Sequence, residues 1–151
     1  MWKQVFPEFP QALTNLADIC RINGKTAESR ELNQKAIELA PDLAVAHNNL
    51  GALELEIGNH YEAYYAFEKA LQLDPVFVDA AINLSTTQKN LGKIDDAIIQ
   101  MKSVLSENST YAPAHNCLGL LYYEVQEIEA AHDHFMIACN LKDSYSEAQN
   151  K

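Results

Sequence analysis

Apolar residues recur along this chain at helical spacing, and the helical pattern itself recurs every 34 residues. Between residues 44 and 57, Ala46, Leu50, Leu53 and Ile57 fall on one helical stripe. Between residues 60 and 75, Ala63, Phe67, Ala70, Leu71 and Leu73 form a second. Gly58 stands between the stripes, where a left-handed residue closes a helix. Pro75 stands past the second, where a helix must stop. No alternating β-branched run competes with this reading. Displaced by one period, whole columns repeat: Leu16, Leu50, Leu84 and Leu118; Ala12, Ala46, Ala80 and Ala114; Gly24, Gly58 and Gly92; Pro7, Pro41 and Pro75. Such a period predicts a stacked repeat architecture.

The register divides the chain into residues 10–43, 44–77, 78–111 and 112–145, each a pair of helices of about 14 residues. Residues 1–9 read as the remnant of a preceding repeat or an N-terminal extension, because Val5 and Pro7 fall in the columns of Leu39 and Pro41. Residues 146–151 read as the start of a fifth repeat or a cap. Ala17, Gly51, Ser85 and Gly119 line the first helices, and Ser29, Ala63, Ala97 and Ala131 the second. These small residues predict close helix approach, and Phe67, Met101 and Phe135 are expected to fill the space between neighbouring blocks. One helical hairpin cannot bury its apolar faces alone, so stability must come from stacking. The end face around Phe135, Ala138 and Leu141 then needs a cover. Two are available: a continuation of the array in a longer parent, or another copy packing through the repeat ends to give a homo-oligomeric scaffold.

At these residues the sequence resembles the tetratricopeptide repeat family. That family is marked by a Leu-Gly pair, a Tyr, a Gly turn, two Ala around an aromatic, and a Pro. Leu50-Gly51, Gly58, Ala63, Phe67, Ala70 and Pro75 match these places, as do Leu118-Gly119, Tyr122, Ala131, Phe135 and Ala138. The departures are Glu54 at the Tyr place, Asn33 at the aromatic place, Ser109 and Asp143 at the Pro place and Gln126 at the Gly place. The resemblance implies an all-α fold, a right-handed α-solenoid of stacked antiparallel helix pairs with four repeats. It also implies that the first helix of each pair lines a concave, peptide-binding face.

On that implied face the blocks place Gln11, Thr14, Asn15, Asp18, Arg21 and Ile22; Val45, Asn48, Asn49, Ala52, Leu55 and Glu56; Asp79, Ile82, Asn83, Thr86, Lys89 and Asn90; and Pro113, Asn116, Cys117, Leu120, Tyr123 and Glu124. Asn15, Asn49 and Asn83 form a column, broken by Cys117 in the fourth block. An amide both donates and accepts, so such a row can pair with an extended peptide backbone. In this it resembles the asparagine ladder of O-linked N-acetylglucosamine transferases. The alternative is that the amides only bond neighbouring helices. The two-carboxylate clamp of heat-shock co-chaperones is a different case. It requires cations where Thr14, Asp79 and Asn83, or Pro113 and Cys117, stand, and a carboxylate ligand would lose its charge-assisted bonds.

Charge narrows the partner further. The formal net charge is −10, which argues against nucleic acid and anionic membrane surfaces. The second and fourth blocks carry most of it. Glu56, Asp79 and Glu124 beside Leu55, Ile82, Leu120 and Tyr123 fit a protein or peptide segment with apolar and some basic residues. No apolar run approaches a membrane span of about 20 residues, so no direct membrane insertion is expected. The decapeptide MWKQVFPEFP lacks a signal-peptide core, so the default compartment is cytoplasmic. Cys20, Cys117 and Cys139 lack pair spacing and read as reduced packing residues. His132 and His134 point about 200° apart on a helix and cannot share an ion. No phosphate loop, nucleophile elbow or metal-ligand set is present, so neither catalysis nor a cofactor is expected. The expected function is a non-catalytic protein-interaction scaffold. The alternative is the substrate-recruiting part of a larger enzyme such as a glycosyltransferase.

Overall fold

A computed structural model describes residues 9–149, with backbone alone for 145–149. The rest of the expected N-terminal remnant, and the last two residues of the expected fifth-repeat start, lie outside the described residues. Among the described residues all regular structure is α-helical. The helices are α1 (Pro10–Ile22), α2 (Thr26–Leu39), α3 (Ala44–Glu56), α4 (His60–Leu73), α5 (Val78–Asn90), α6 (Ile94–Glu107), α7 (Ala112–Glu124) and α8 (Ile128–Gln149). Two compact units divide the chain, Met1–Ala80 and Ala81–Lys151.

The same turn closes the first helix of every pair. Lys25 N–H donates to Cys20 O at 2.8 Å and Gly24 N–H to Arg21 O at 2.9 Å, the paired bonds of a Schellman motif. Asn59 and Gly58, Lys93 and Gly92, and Glu127 and Gln126 repeat them. The motif requires positive φ at its pivot. Gly24, Gly58 and Gly92 supply it without strain, whereas Gln126 adopts φ 64° with a full side chain. The turn therefore survives in the fourth pair, at a local cost. Past the second helices, Pro41 and Pro75 forbid continuation. At Ser109 no proline stands, but Asn108 Oδ1 accepts from Thr110 N–H at 3.1 Å, the same Asx turn that Asp74 Oδ1 makes with Val76 N–H beside Pro75. At Asp143 neither device operates, and α8 runs on to Gln149.

In unit one the core joins three helices. Leu13, Ala17 and Cys20 of α1, Leu32 and Ala36 of α2 and Ala46 of α3 form one buried cluster. The first helix of the second pair thus covers the face that the first pair cannot bury alone. A polar tie crosses the same junction. Arg30 on α2 donates two bonds to Glu54 on α3, Nε to Oε1 at 2.8 Å and Nη2 to Oε2 at 3.1 Å, and Asn59 Nδ2 adds a third at 2.7 Å. Burial opposes ionisation of Glu54, but the bonds from Arg30 and Asn59 prevail and lower its pKa. Glu54 at the tyrosine place is therefore a paired ion. In unit two, α6 packs on α7 and α7 on α8.

Helix approach within a pair is set by one contact. A Cβ placed on Gly51 would lie 2.7 Å from the Phe67 ring, and one on Gly119 would lie 2.8 Å from Phe135. The rings therefore lie over the glycines of their own pairs. The other two pairs change both partners together: Ala17 with Asn33, and Ser85 with Met101, all four buried. Asn33 is 1% exposed, and neither of its amide polar atoms has a hydrogen-bond partner. Ser29 Oγ, one turn earlier, is also without one.

This volume exchange predicts coupling. Asn33→Phe alone drives a ring into the Ala17 methyl, and Ala17→Gly alone costs about 1 kcal/mol of helix propensity. Together they should recreate the Gly51–Phe67 contact, with a favourable coupling of about 1–3 kcal/mol in urea unfolding; additive effects would contradict the pairing. For Glu54, the lowered pKa means that its stabilisation is complete above the ordinary value of 4.5 and is lost as pH falls through the folded value. Glu54→Gln should cost about 1–3 kcal/mol at neutral pH, and the gap to the unsubstituted chain should close as the pH is lowered through that window.

Candidate functional site

The first helices of unit one present a polar row. Gln11 Nε2 donates to Thr14 Oγ1 at 3.2 Å and to Asn15 Oδ1 at 3.3 Å. Asn49 Nδ2 donates to the backbone carbonyl of Thr14 at 3.3 Å, joining α3 to α1. Farther along, Arg21 donates to Asp18 Oδ1 through Nη2 at 2.6 Å and pairs through Nη1 with Glu56 of α3. Asn15 and Glu56 are exposed, while Asn49, Ala52 and Leu55 are half-buried. Thr14 and Asn48 are buried, so neither side chain is on an open surface.

Unit two presents an apolar counterpart. Asn116, Leu120 and Tyr123 are exposed on α7, the last two at 48% and 58%. Ile82, Asn83 and Thr86 are half-buried on α5, where Thr86 Oγ1 donates to Ile82 O at 3.1 Å. Asp79, at the start of that helix, is exposed. Cys117 is buried, and burial pushes its thiol up to about 11, so it is protonated and unreactive at neutral pH. Cys20 is buried and held above the ordinary thiol range by burial and by Glu28. Cys139 is exposed and so is not the packing residue that the sequence suggested. At the end face, a cavity of about 300 Å³ is lined by Ala112, Pro113, Asn116, Phe135, Ala138, Cys139 and Lys142. Phe135 and Leu141 are half-buried and Ala138 buried.

One periodic feature escaped the sequence reading. Arg21 pairs with Glu56, and Lys89 Nζ stands 3.9 Å from Glu124 Oε1. Each pair links the twelfth position of one block to the thirteenth of the next, and the two pairs are separated by two periods. Block charges conceal this, because the relevant spacing is 35 residues and not a local helical offset. Glu56 and Glu124 thus each have a cation partner on the preceding first helix, Arg21 being shared with Asp18, whereas among the described residues no such pair is seen for Asp79. The amide column is similarly committed in part: Asn49 uses one N–H on the Thr14 carbonyl.

Elsewhere, Tyr61 and Tyr65 are exposed on α4, whereas Tyr64 donates to Glu68 Oε1 at 2.6 Å. His134 faces His115 and not His132, with the two Nδ1 atoms 2.9 Å apart. Among the described residues no group of three or more His, Cys, Asp or Glu side chains is disposed to hold a metal ion, and no helix is long and apolar enough to cross a membrane.

Residues 8–75 match the tetratricopeptide repeat family model. The chain is 30% identical over 104 residues to a probable UDP-N-acetylglucosamine–peptide N-acetylglucosaminyltransferase SPINDLY of Hordeum vulgare, covering 64% of this chain and 11% of that protein. It is 39% identical over 71 residues to a peroxisomal targeting signal receptor of Candida albicans, covering 47% of this chain and 12% of the receptor. The chain therefore spans only about a tenth of either relative. Among solved structures, one of MamA superposes with a TM-score of 0.81 at 22% identity, covering 96% of this chain and 85% of that one. MamA from Desulfovibrio magneticus RS-1 gives 0.80 at 19%, covering 95% and 81%. The fold is accordingly the α-solenoid of stacked antiparallel helix pairs that the period predicts.

Proposed function

Because residues 8–75 match the tetratricopeptide repeat family and the helix pairs share the fold of the MamA structures, we propose that the chain is a non-catalytic scaffold that captures an extended or helical protein segment along the concave face formed by the first helix of each pair. The observation that carries this reading is the exposed Leu120 and Tyr123, set beside Asn116 on α7. Soluble proteins place large apolar side chains together in the open chiefly where a partner covers them. Asn15, Asn49 and Asn83 supply donors and acceptors for the partner's backbone, and Leu55, Ile82 and Thr86 supply its apolar contacts. The partner is mainly apolar with some basic residues. Its basic residues meet Asp79 directly and reach Glu56 and Glu124 only by competing with Arg21 and Lys89. Ordering a flexible segment consumes part of the contact energy, which sets the dissociation constant near the micromolar range, roughly.

A second reading rests on the relatives. The plant and Giardia intestinalis proteins that share 30% and 26% identity with this chain are named as peptide N-acetylglucosaminyltransferases. This segment would then be the recruiting part of such an enzyme, with the chemistry elsewhere. A transcript carrying a catalytic domain in the same reading frame supports that reading, and a frame that closes without one removes it.

The groove is tested by selecting random dodecapeptides displayed on phage against the immobilised chain. Selected peptides should be rich in apolar residues with a few lysines or arginines. Leu120→Asp with Tyr123→Asp should weaken them by at least about tenfold, and Asn49→Ala with Asn83→Ala by about three- to tenfold, with helicity unchanged. Undiminished binding to both variants would move the site off this face.

A further inference from the structure

Each block has one first-helix place and one second-helix place that lie 19 residues apart. Block one fills them with Leu13 and Leu32, both inside the apolar cluster of unit one. Block four fills them with His115 and His134, whose Nδ1 atoms stand 2.9 Å apart. The other ring nitrogen of His115, Nε2, lies 3.0 Å from the carbonyl oxygen of Ser109, between α6 and α7. A carbonyl only accepts, so this nitrogen carries the hydrogen. In the neutral ring Nδ1 of His115 is then an acceptor, and His134 must donate to it from its own Nδ1. The two tautomers are therefore opposite and fixed by their surroundings.

The groups around the pair make a second cation costly. His134 stacks on Tyr122 of α7, with ring centroids 5.6 Å apart and planes 13° apart. Lys102 of α6 sits 5.7 Å from the centroid of that Tyr122 ring. On α8 itself the neighbouring carboxylate is Asp133, 3.5 Å from His132 Nδ1. His115 is buried and His134 half-buried. Block two offers an internal comparison: His47 Nε2 makes the same contact with its loop, 3.0 Å from Pro41 O, but the partner place holds Ala66.

We propose that His115 and His134 form a proton-operated latch, tying α8 to α7 and to the α6–α7 connection near neutrality and releasing them when acid loads both rings. A first added proton settles on Nε2 of His134 and leaves the Nδ1–H donation intact. A second must enter at Nδ1 of His115. It sets two N–H groups face to face and two cations side by side, with Lys102 adding to the repulsion. Burial, and then the neighbouring His115, hold His134 below its ordinary value of 6.5. A base held neutral in this way contributes its full stability above that value and loses it as the pH falls through the depressed one.

The test is urea unfolding of the full chain at about pH 7.5 and about pH 5, the range over which histidine changes charge. The unsubstituted chain is compared with a His115→Leu, His134→Leu variant, which copies block one, and with His134→Ala, which copies block two. Between the two pH values the unfolding constant of the unsubstituted chain should rise about tenfold more than that of either variant. Nitrogen-resolved histidine spectra of the unsubstituted chain near pH 8 should show His115 as the Nε2–H tautomer and His134 as the Nδ1–H tautomer. Equal pH dependence in all three chains would overturn the latch, and so would two Nε2–H tautomers. The tautomers are read without substitution, so a variant that fails to fold does not shield the proposal.

Discussion

The structure depends on one constraint: a pair of helices leaves an apolar face that only a further helix can cover. In unit one that cover is α3, whose Ala46 enters the cluster built by Leu13, Ala17, Cys20, Leu32 and Ala36. The small residue is needed because helices cannot close on a bulky one without opening a gap elsewhere. The same logic inside a pair makes Gly51 admit Phe67 and Gly119 admit Phe135. Once these approaches are fixed, the first helices have no freedom in what they turn outward. The polar row of unit one and the apolar face of α7 are what remains after the core has taken its share.

The architecture was legible because it is written in columns. A period of 34 residues, closed by Gly and Pro at fixed places, specifies helix pairs whatever fills the other positions. The departures were also visible, but their consequences were not. Gln126 keeps the left-handed turn, because the surrounding Schellman bonds hold it there at a strained φ. Glu54 reads as a mismatch in sequence and proves to be an ion tied to Arg30 and Asn59. Asn33 and Ala17 vary together, a relation that needs the ring-over-glycine contact of Phe67 to be understood.

The candidate face was legible in part. The positions carried over from the family resemblance put Asn15, Leu120 and Tyr123 on the outward face, and all three side chains are exposed. Phase could not show that Thr14 and Asn48 turn inward, since a residue at the edge of a stripe is decided by how closely the next helix packs. It also could not show the ion pairs Arg21–Glu56 and Lys89–Glu124, which join residues a full period and one position apart. Those pairs change the electrostatic picture. Glu56 and Glu124 are each engaged by a cation of the preceding block, so part of the acidity that composition shows is already paired at these positions. Exposed pairs of this kind contribute little to stability, and a competing partner side chain can open them at small cost.

The central claim is that binding uses the first-helix face and not the outer one. Replacing Tyr123, and separately Tyr65 on the exposed side of α4, with a photo-crosslinking phenylalanine analogue tests it most directly, with a display-selected peptide as the probe. The account predicts a covalent adduct from position 123 and none from position 65. Adduct formation from position 65 alone would contradict it and place recognition on the second helices.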